Sequence, residues 1–437
     1  MRYIFSLPKQ TDKQRKEEAM NSMSFKTIAI LLLTVFMVSP CVFAGEVEVL
    51  HWWTSGGEAK SVSVLKDLLE KEGHTWQDMA VAGGAGANAM TVLKSRAVSG
   101  NPPTAAQVKG PQIQQWGDEG VLTNLDDVAM AENWDNLLPK VVADVMKYKG
   151  HYVAVPVNVH KINWMWVNPE VFKKSNAKIP TTWAEFETAA NKIKAAGYIP
   201  VGWGGQNWQE ATVWESIVLG VGGAAFYKKA LIDADPVALG SATMVKCFDT
   251  LRMVLGYIDK DAPGRDWNLA TSMVIQGKAG MQFMGDWAKG EFKAAGKNYG
   301  TDYIAMPVPG TSNGYLFNVD SFIMFNVKDA GAKKAQKAMA RLIMGPKFQE
   351  VFNVNKGSIP CRLGMSRDPF DFPAIYSFDT FEATAASGTL LPSMAHEMAV
   401  FPAIRGAMFD VVTSFCNSSM SSQKAAGNLA AEVKSAI

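Results

Sequence analysis

Two adjacent indoles, Trp52 and Trp53, end the alternating run Glu46-Val47-Glu48-Val49-Leu50-His51 and are followed by Thr54-Ser55-Gly56-Gly57-Glu58. The face of an indole stacks on the apolar C–H face of a sugar ring, and a carboxylate six residues beyond Trp52 accepts hydrogen bonds from hydroxyls. The same pair can equally pack in a core or flank a turn, which is where aromatic side chains commonly go. The pair alone leaves both readings open.

Other constellations that do chemistry are scarce. The five histidines stand at 51, 74, 151, 160 and 396, with no H-E-x-x-H and no i, i+4 pair to hold a metal. There is no G-x-S-x-G elbow, and Gly83-Gly84-Ala85-Gly86-Ala87 lacks the Gly-Lys-Ser/Thr ending of a phosphate-binding loop. That run reads as a tight strand-to-helix turn made possible by glycine at positive φ. Four carboxylates, Glu58, Glu210, Asp286 and Asp320, leave room for a carbohydrate hydrolase, which needs two of them about 5–10 Å apart across the scissile bond.

The elements that must position these residues alternate strand and helix. Glu46–His51 has the period of a strand, and residues 59–71 place Val62, Leu65, Leu68 and Leu69 at helical spacing. A second strand near 78–82, a helix over 90–98 and a strand over 105–109 continue the pattern, which implies a parallel sheet flanked by helices. Thr182-Trp183-Ala184-Glu185 is a capping box opening a helix to about Ala196. Residues 280–284 read as a strand running into Gly285-Asp286-Trp287, with Asp286 as the N-cap of the next helix, and 333–344 as an amphipathic helix. Residues 152–159 and 303–309, each with proline, read as extended chain passing between two α/β lobes, and a cleft between lobes is where a ligand site is expected.

The first 44 residues read differently. Met23-Ser24-Phe25-Lys26 is a basic start, 27–38 is apolar, and Val42-Phe43-Ala44 closes a secretory signal peptide cleaved after Ala44. Pro40 speaks against a lipid-modified Cys41. From Gly45 onward 393 residues carry 37 basic and 38 acidic side chains, a near-neutral balance with no footprint for nucleic acid or an anionic membrane. Cys247, Cys361 and Cys416 permit one disulfide with one thiol over, in any of three pairings.

Taken in order, Trp52-Trp53-Thr54-Ser55-Gly56-Gly57-Glu58, Gln107-Val108-Lys109, Trp267, Gly285-Asp286-Trp287, Asn318-Val319-Asp320 and Asn355-Lys356-Gly357-Ser358-Ile359-Pro360 resemble the periplasmic sugar-binding proteins of bacterial ABC transporters, extracellular solute-binding protein family 1, glucose/mannose-binding type. The resemblance implies an α/β fold of two lobes, the type II periplasmic binding protein fold, each lobe a mainly parallel sheet flanked by helices. It implies lobe boundaries at 45–155 and 308–355 for the first lobe and 156–307 and 356–437 for the second. It implies a monomer without cofactor or metal and without enzymatic activity. Its partners would be a monosaccharide, glucose or a similar hexose, and the permease subunits of the inner membrane.

Residue by residue, the resemblance puts Trp52 and Trp53 against the pyranose, makes Glu58 and Asp320 acceptors, and gives Gln107 both donor and acceptor roles. Lys109, Lys356 and His396 become donors, and Trp267 and Trp287 the facing wall. Some relatives carry His where this chain has Lys109. Glu58 can also cap the helix near Ala59, and Asp320 a turn. His160, Asn158 and Trp203 are rim candidates that read better as structural, and Trp164 and Trp166 read as core.

Overall fold

The computed structural model describes residues 45–437; the expected signal peptide, its expected cleavage site and Cys41 lie outside the described residues. Glu46–His51 is a strand whose Val47 and Val49 are fully buried, as its alternation requires. It pairs in parallel with Thr75–Ala80 on one side and Ala105–Val108 on the other. Ser321–Met324 follows antiparallel to Ala105–Val108, and Ala154–Pro156 closes the edge antiparallel to Ser321–Met324. The helix Gly56–Lys71 buries Val62, Leu65 and Leu69 along one stripe, and Ala330–Met344 buries Ala335, Met339 and Ile343.

A second sheet orders Ile304–Pro307, Trp164–Val167, Ala279–Phe283 and Ile199–Val201. Only its last pair is parallel, and the first two pairs are antiparallel. The expected mainly parallel sheets are therefore mixed. Strands that cross from one half of the molecule to the other enter a sheet from the opposite end, which forces antiparallel pairing where they join. Trp164 and Trp166 are 1% and 0% exposed in this half, so both are core.

Two apolar cores result. One gathers residues from Val47 to Val159 and from Tyr315 to Phe381, with Met398; the other gathers residues from Ile162 to Val308 and from Leu391 to Val433, with Leu316. Ile359, Cys361, Phe370, Ala374 and Phe381 belong to the first core. Tyr376 and Phe372 in the same stretch pack instead against Trp164 and Tyr299 of the second half, so this part of the chain touches both. Between the cores runs a small sheet in which Tyr315–Asn318 lies antiparallel to His160–Lys161 and parallel to Leu390–Pro392.

Local signals mostly take the form read from sequence. Thr182 Oγ1 accepts from Glu185 N at 3.2 Å and Glu185 Oε2 accepts from Thr182 N at 3.1 Å, a capping box on Trp183–Ala195; such a cap contributes about 1 kcal/mol. The turn at Gly83–Gly86 has φ of +97° and +106° at its two ends, and a Cβ at Gly86 would press on the Trp52 ring. Asp286 is not an N-cap: the helix Ala288–Ala294 starts after Trp287, and Asp286 bonds to the chain at His160 and Lys161 instead. Cys247, Cys361 and Cys416 are all free thiols, so none of the three possible pairings forms. The Cys361 thiol donates to Pro156 O at 3.3 Å, and burial pushes its pKa up to about 12. No helix among the described residues is long and apolar enough to cross a membrane.

Candidate functional site

Strand ends build the site. Glu46–His51, Thr75–Ala80 and Ala105–Val108 run parallel, so the residues after them emerge on one edge of the first sheet: Trp52 and Trp53, Ala82 and Gly83, and Lys109. Asp320 precedes an antiparallel strand and His160 follows Ala154–Pro156, which brings both to that same edge. The second sheet repeats the device with Ala279–Phe283 and Ile199–Val201, whose C-terminal ends deliver Trp287 and Trp208. Ligands of open α/β sheets sit at this edge for that reason. Between the two edges lies a cavity of about 220 Å³.

Nine of the ten expected residues line it: Trp52, Trp53, Glu58, Lys109, Trp267, Trp287, Asp320, Lys356 and His396. Gln107 does not. It is fully buried behind the wall, where its Oε1 accepts from Trp52 N at 3.3 Å and its Nε2 donates to Asp320 Oδ1 at 3.3 Å. Its two-sided chemistry is used to hold two lining residues in place. Trp53 divides its surface, meeting Phe322 edge-on at 5.6 Å and Phe352 at 5.1 Å while still reaching the cavity.

The carboxylates arrive already partnered. Glu58 Oε2 accepts from Thr54 N and Ser55 N at 3.2 and 3.3 Å, so it caps its helix, and Oε1 accepts from Lys356 Nζ at 2.8 Å. Asp320 accepts from Gln107, from Asn158 Nδ2 at 3.1 Å and from His160 Nε2 at 3.0 Å. Burial alone would raise its pKa; the His160 charge and hydrogen bond, with Lys109 and Lys356 beyond, outweigh burial and hold it well below the usual carboxylate range. Lys109 Nζ lies 5.0 Å from the Trp52 ring centre and 3.7 Å from Glu397, too far for a hydrogen bond, which leaves its protons for a ligand. Glu397, in a left-handed conformation with φ +67°, also pairs with Arg405 at 2.7 Å.

On the facing wall, His396 is 4.9 Å from Trp287 and 5.9 Å from Trp208, both edge-on. Its Nε2 is 2.9 Å from Thr212 Oγ1, whose single proton already goes to Trp208 O at 2.7 Å. Nε2 therefore carries the proton, and Nδ1 is an acceptor. Burial first, and then the Lys109 and His160 charges, keep the ring's pKa well below the ordinary histidine value. His396 is thus a neutral acceptor and not the donor expected.

Several lining residues escaped the sequence reading. His160, taken as structural, lies at the floor of the cavity between Asp320 and Asp286. Trp208 completes the aromatic wall with Trp267 and Trp287; its signal was an indole following Gly204-Gly205 at the head of an apolar helix. Asn318 and Ser55 also line the cavity, and Asn318 Oδ1 is buried without a partner, so it has a hydrogen bond to accept. Trp203 is core at 3% exposure, and Asn158 supports Asp320 from below.

Glu58, Asp266 and Asp320 are the carboxylates that line the cavity. Of the four candidate carboxylates only Glu58 and Asp320 line the cavity; Glu210 binds Asn417 elsewhere and Asp286 stands behind His160. A general acid needs a raised pKa, whereas Asp320 is held low and Glu58 is tied to a lysine.

The profile of the bacterial extracellular solute-binding protein family matches residues 53–346. A probable sugar-binding periplasmic protein of Brucella suis is 48% identical over 390 residues, 89% of this chain and 92% of that one. A protein of the same description from Rhizobium meliloti is 46% identical, covering 94% of this chain and 99% of its own. A glucose-binding protein of Saccharolobus solfataricus is 25% identical over 62% of this chain and 53% of its own. Among solved structures, a chitin oligosaccharide binding protein superposes with a TM-score of 0.75 at 18% identity, covering 90% of this chain and 99% of that one, a likeness of fold. With its periplasmic binding protein fold and its family match, the chain belongs to the bacterial extracellular solute-binding proteins, a family of binders and not of enzymes.

Proposed function

We propose that this protein captures one neutral hexose, glucose or a close relative, in the periplasm and delivers it to the permease of an ABC importer. The observation that carries the reading is an aromatic cavity whose charges cancel. Of the charged groups that line it, Glu58, Asp266 and Asp320 are matched by Lys109, Lys356 and a His160 held between two carboxylates. A phosphorylated or acidic sugar would bring an unmatched charge into a buried site, which is costly. A polyol needs donors and acceptors around its rim and apolar faces above and below, and the tryptophans of both halves supply the faces. The volume of about 220 Å³ lies under the roughly 300–1,000 Å³ of pockets for drug-sized ligands, which favours one ring over a chain of rings.

Binding by closure follows from the division of the lining. Trp52, Glu58 and Lys109 belong to the first half and Trp208, Trp267 and Trp287 to the second, so a sugar gains its full set of contacts only when both close on it. We place the lobe boundaries near 155 and 308, with the chain after 356 shared between the lobes. A micromolar Kd corresponds to about −8 kcal/mol, within reach of a few stacking contacts and charge-assisted hydrogen bonds.

Intrinsic tryptophan fluorescence of the exported protein, titrated with glucose, galactose, mannose, maltose and an amino-acid mixture, tests the reading. A saturable response to a monosaccharide without turnover is expected. Response to the amino acids alone, or release of reducing sugar from oligosaccharides, would overturn it.

A further inference from the structure

His160 is 1% exposed, and each of its ring nitrogens faces a carboxylate. Nδ1 meets Asp286, and Nε2 lies 3.0 Å from Asp320 Oδ2. Ionised carboxylates only accept, so both bonds form only when both nitrogens carry protons. The two acids belong to different halves. Asp286 follows the second-sheet strand Ala279–Phe283 and is tied to the crossing chain by Lys161 N donating to its Oδ2 at 2.8 Å and its own N donating to Lys161 O at 3.0 Å. Asp320 precedes a first-sheet strand and is tied to the same chain three residues earlier, by its N donating to Asn158 Oδ1 at 3.0 Å. His160 sits between these two anchor points, in the strand that joins the lobes.

We propose that His160 is a positioning residue for the ligand: as an imidazolium bridging Asp286 and Asp320, it aims the Asp320 carboxylate at the cavity and links the two lobes in the closed state. This inference rests on the sugar-binding reading above. The environment is consistent with a charged ring, since burial, which disfavours the charge, is outweighed by Asp286 and Asp320 and the pKa is raised. The other titratable groups facing this cluster are His396, Lys109 and Lys356, and, on the Asp286 side, Lys161 and Tyr315, with the Trp287 ring edge-on at 5.3 Å.

The neutral ring has a different set of partners. Asn158 Nδ2 lies 2.9 Å from His160 Nε2 and can donate to it once that proton is gone. Nδ1–H then stays on Asp286, and Asp320 loses a donor and its nearest positive charge. A proton lost to solvent therefore exchanges an inter-lobe ionic link for a local bond within the crossing chain. Sugar affinity falls as pH rises through the His160 pKa, because the closed state holds the proton more tightly than a state in which one acid has moved away.

The test is glucose affinity, by fluorescence and calorimetry, from about pH 6 to 10 in the wild type and in His160→Gln. The wild type should weaken at least about tenfold across that range; His160→Gln should be about tenfold weaker at neutral pH, with a flat profile. Should His160→Gln fail to fold, the wild type still reports: calorimetry in buffers of differing ionisation enthalpy should show net proton uptake on glucose binding near pH 8. Glucose affinity in His160→Gln equal to wild type at every pH, or a wild type without pH dependence and without proton uptake, would overturn this inference alone. Absence of saturable binding of any sugar to the wild type would overturn the proposed function and this inference with it.

Discussion

Asp320→Asn separates the contribution of charge from that of shape. The side chain keeps its size, but one of its oxygens becomes an NH₂ that faces a donor in either orientation, Gln107 at the Oδ1 position or Asn158 and His160 at the Oδ2 position. One charge-assisted bond to the sugar is lost, about 1.5–3 kcal/mol, or roughly 10- to 150-fold in Kd. The fold is weakened too, because removing one partner of a buried ion pair costs up to about 3–5 kcal/mol. His160 retains Asp286 and can release its second proton, which places the loss at the low end. At about 2–4 °C per kcal/mol for domains of 150–250 residues, Tm should drop by less than about 10 °C in this larger chain.

The pH sign is fixed by the depressed Asp320 pKa. Its stabilisation is present above the unfolded value of about 3.9 and lost as pH falls toward the lower folded value, so the wild type should lose stability below about pH 4 more steeply than the variant. Fluorescence titration and scanning calorimetry of both proteins read all three quantities. Affinity within about threefold of wild type, with Tm preserved, would show that Asp320 does not touch the ligand and that the cavity is misassigned.

Four further outcomes are expected. Thr212→Val removes the acceptor that fixes the His396 tautomer, so Nδ1 can take the proton and sugar affinity should fall several-fold, roughly the value of one hydrogen bond; histidine ¹⁵N shifts of the variant would show the tautomer change. Lys161 is fully buried and burial lowers its pKa to about 7, so the unfolded chain binds more protons above that pH and stability should rise from about pH 7 toward 10; Lys161→Met should abolish the rise in Tm. Glu215 works in the opposite direction, its pKa raised to about 7 by burial against the bonds from Ser393 and the Met394 and Ala395 amides, so Tm should decline between about pH 5 and 7 and Glu215→Gln should flatten that limb. With its cysteines free, the chain from Gly45 should show the same Tm with and without dithiothreitol and should titrate three thiols in denaturant.

Strand and helix periods were legible wherever one face is buried and the other wet. Glu46–His51, the stripe of Val62, Leu65 and Leu69, and the Thr182–Glu185 box all depend on neighbours within one or two turns. Strand direction was not legible. Ser321–Met324 carries no sign in its residues that it enters the first sheet antiparallel, because that follows from where the crossing chain comes from. Asp286 shows the same limit at the scale of one side chain: it stands where an N-cap is plausible, and a histidine 126 residues away takes it instead.

By itself the sequence determined what kinds of groups were available: paired indoles, unmatched local carboxylates and lysines, a near-neutral charge, and an order of motifs shared with a family of solute binders. Those are properties of composition and of order along the chain, and they survive without coordinates. Only the tertiary structure decided what each group does. It set Gln107 behind the wall, made His396 an acceptor through Thr212, and brought His160 between two acids from opposite halves. The reason is physical. A side chain's role in a buried site depends on its protonation and its hydrogen-bond partners, and those partners come from strand ends that are distant in sequence and meet only at the edges of two sheets.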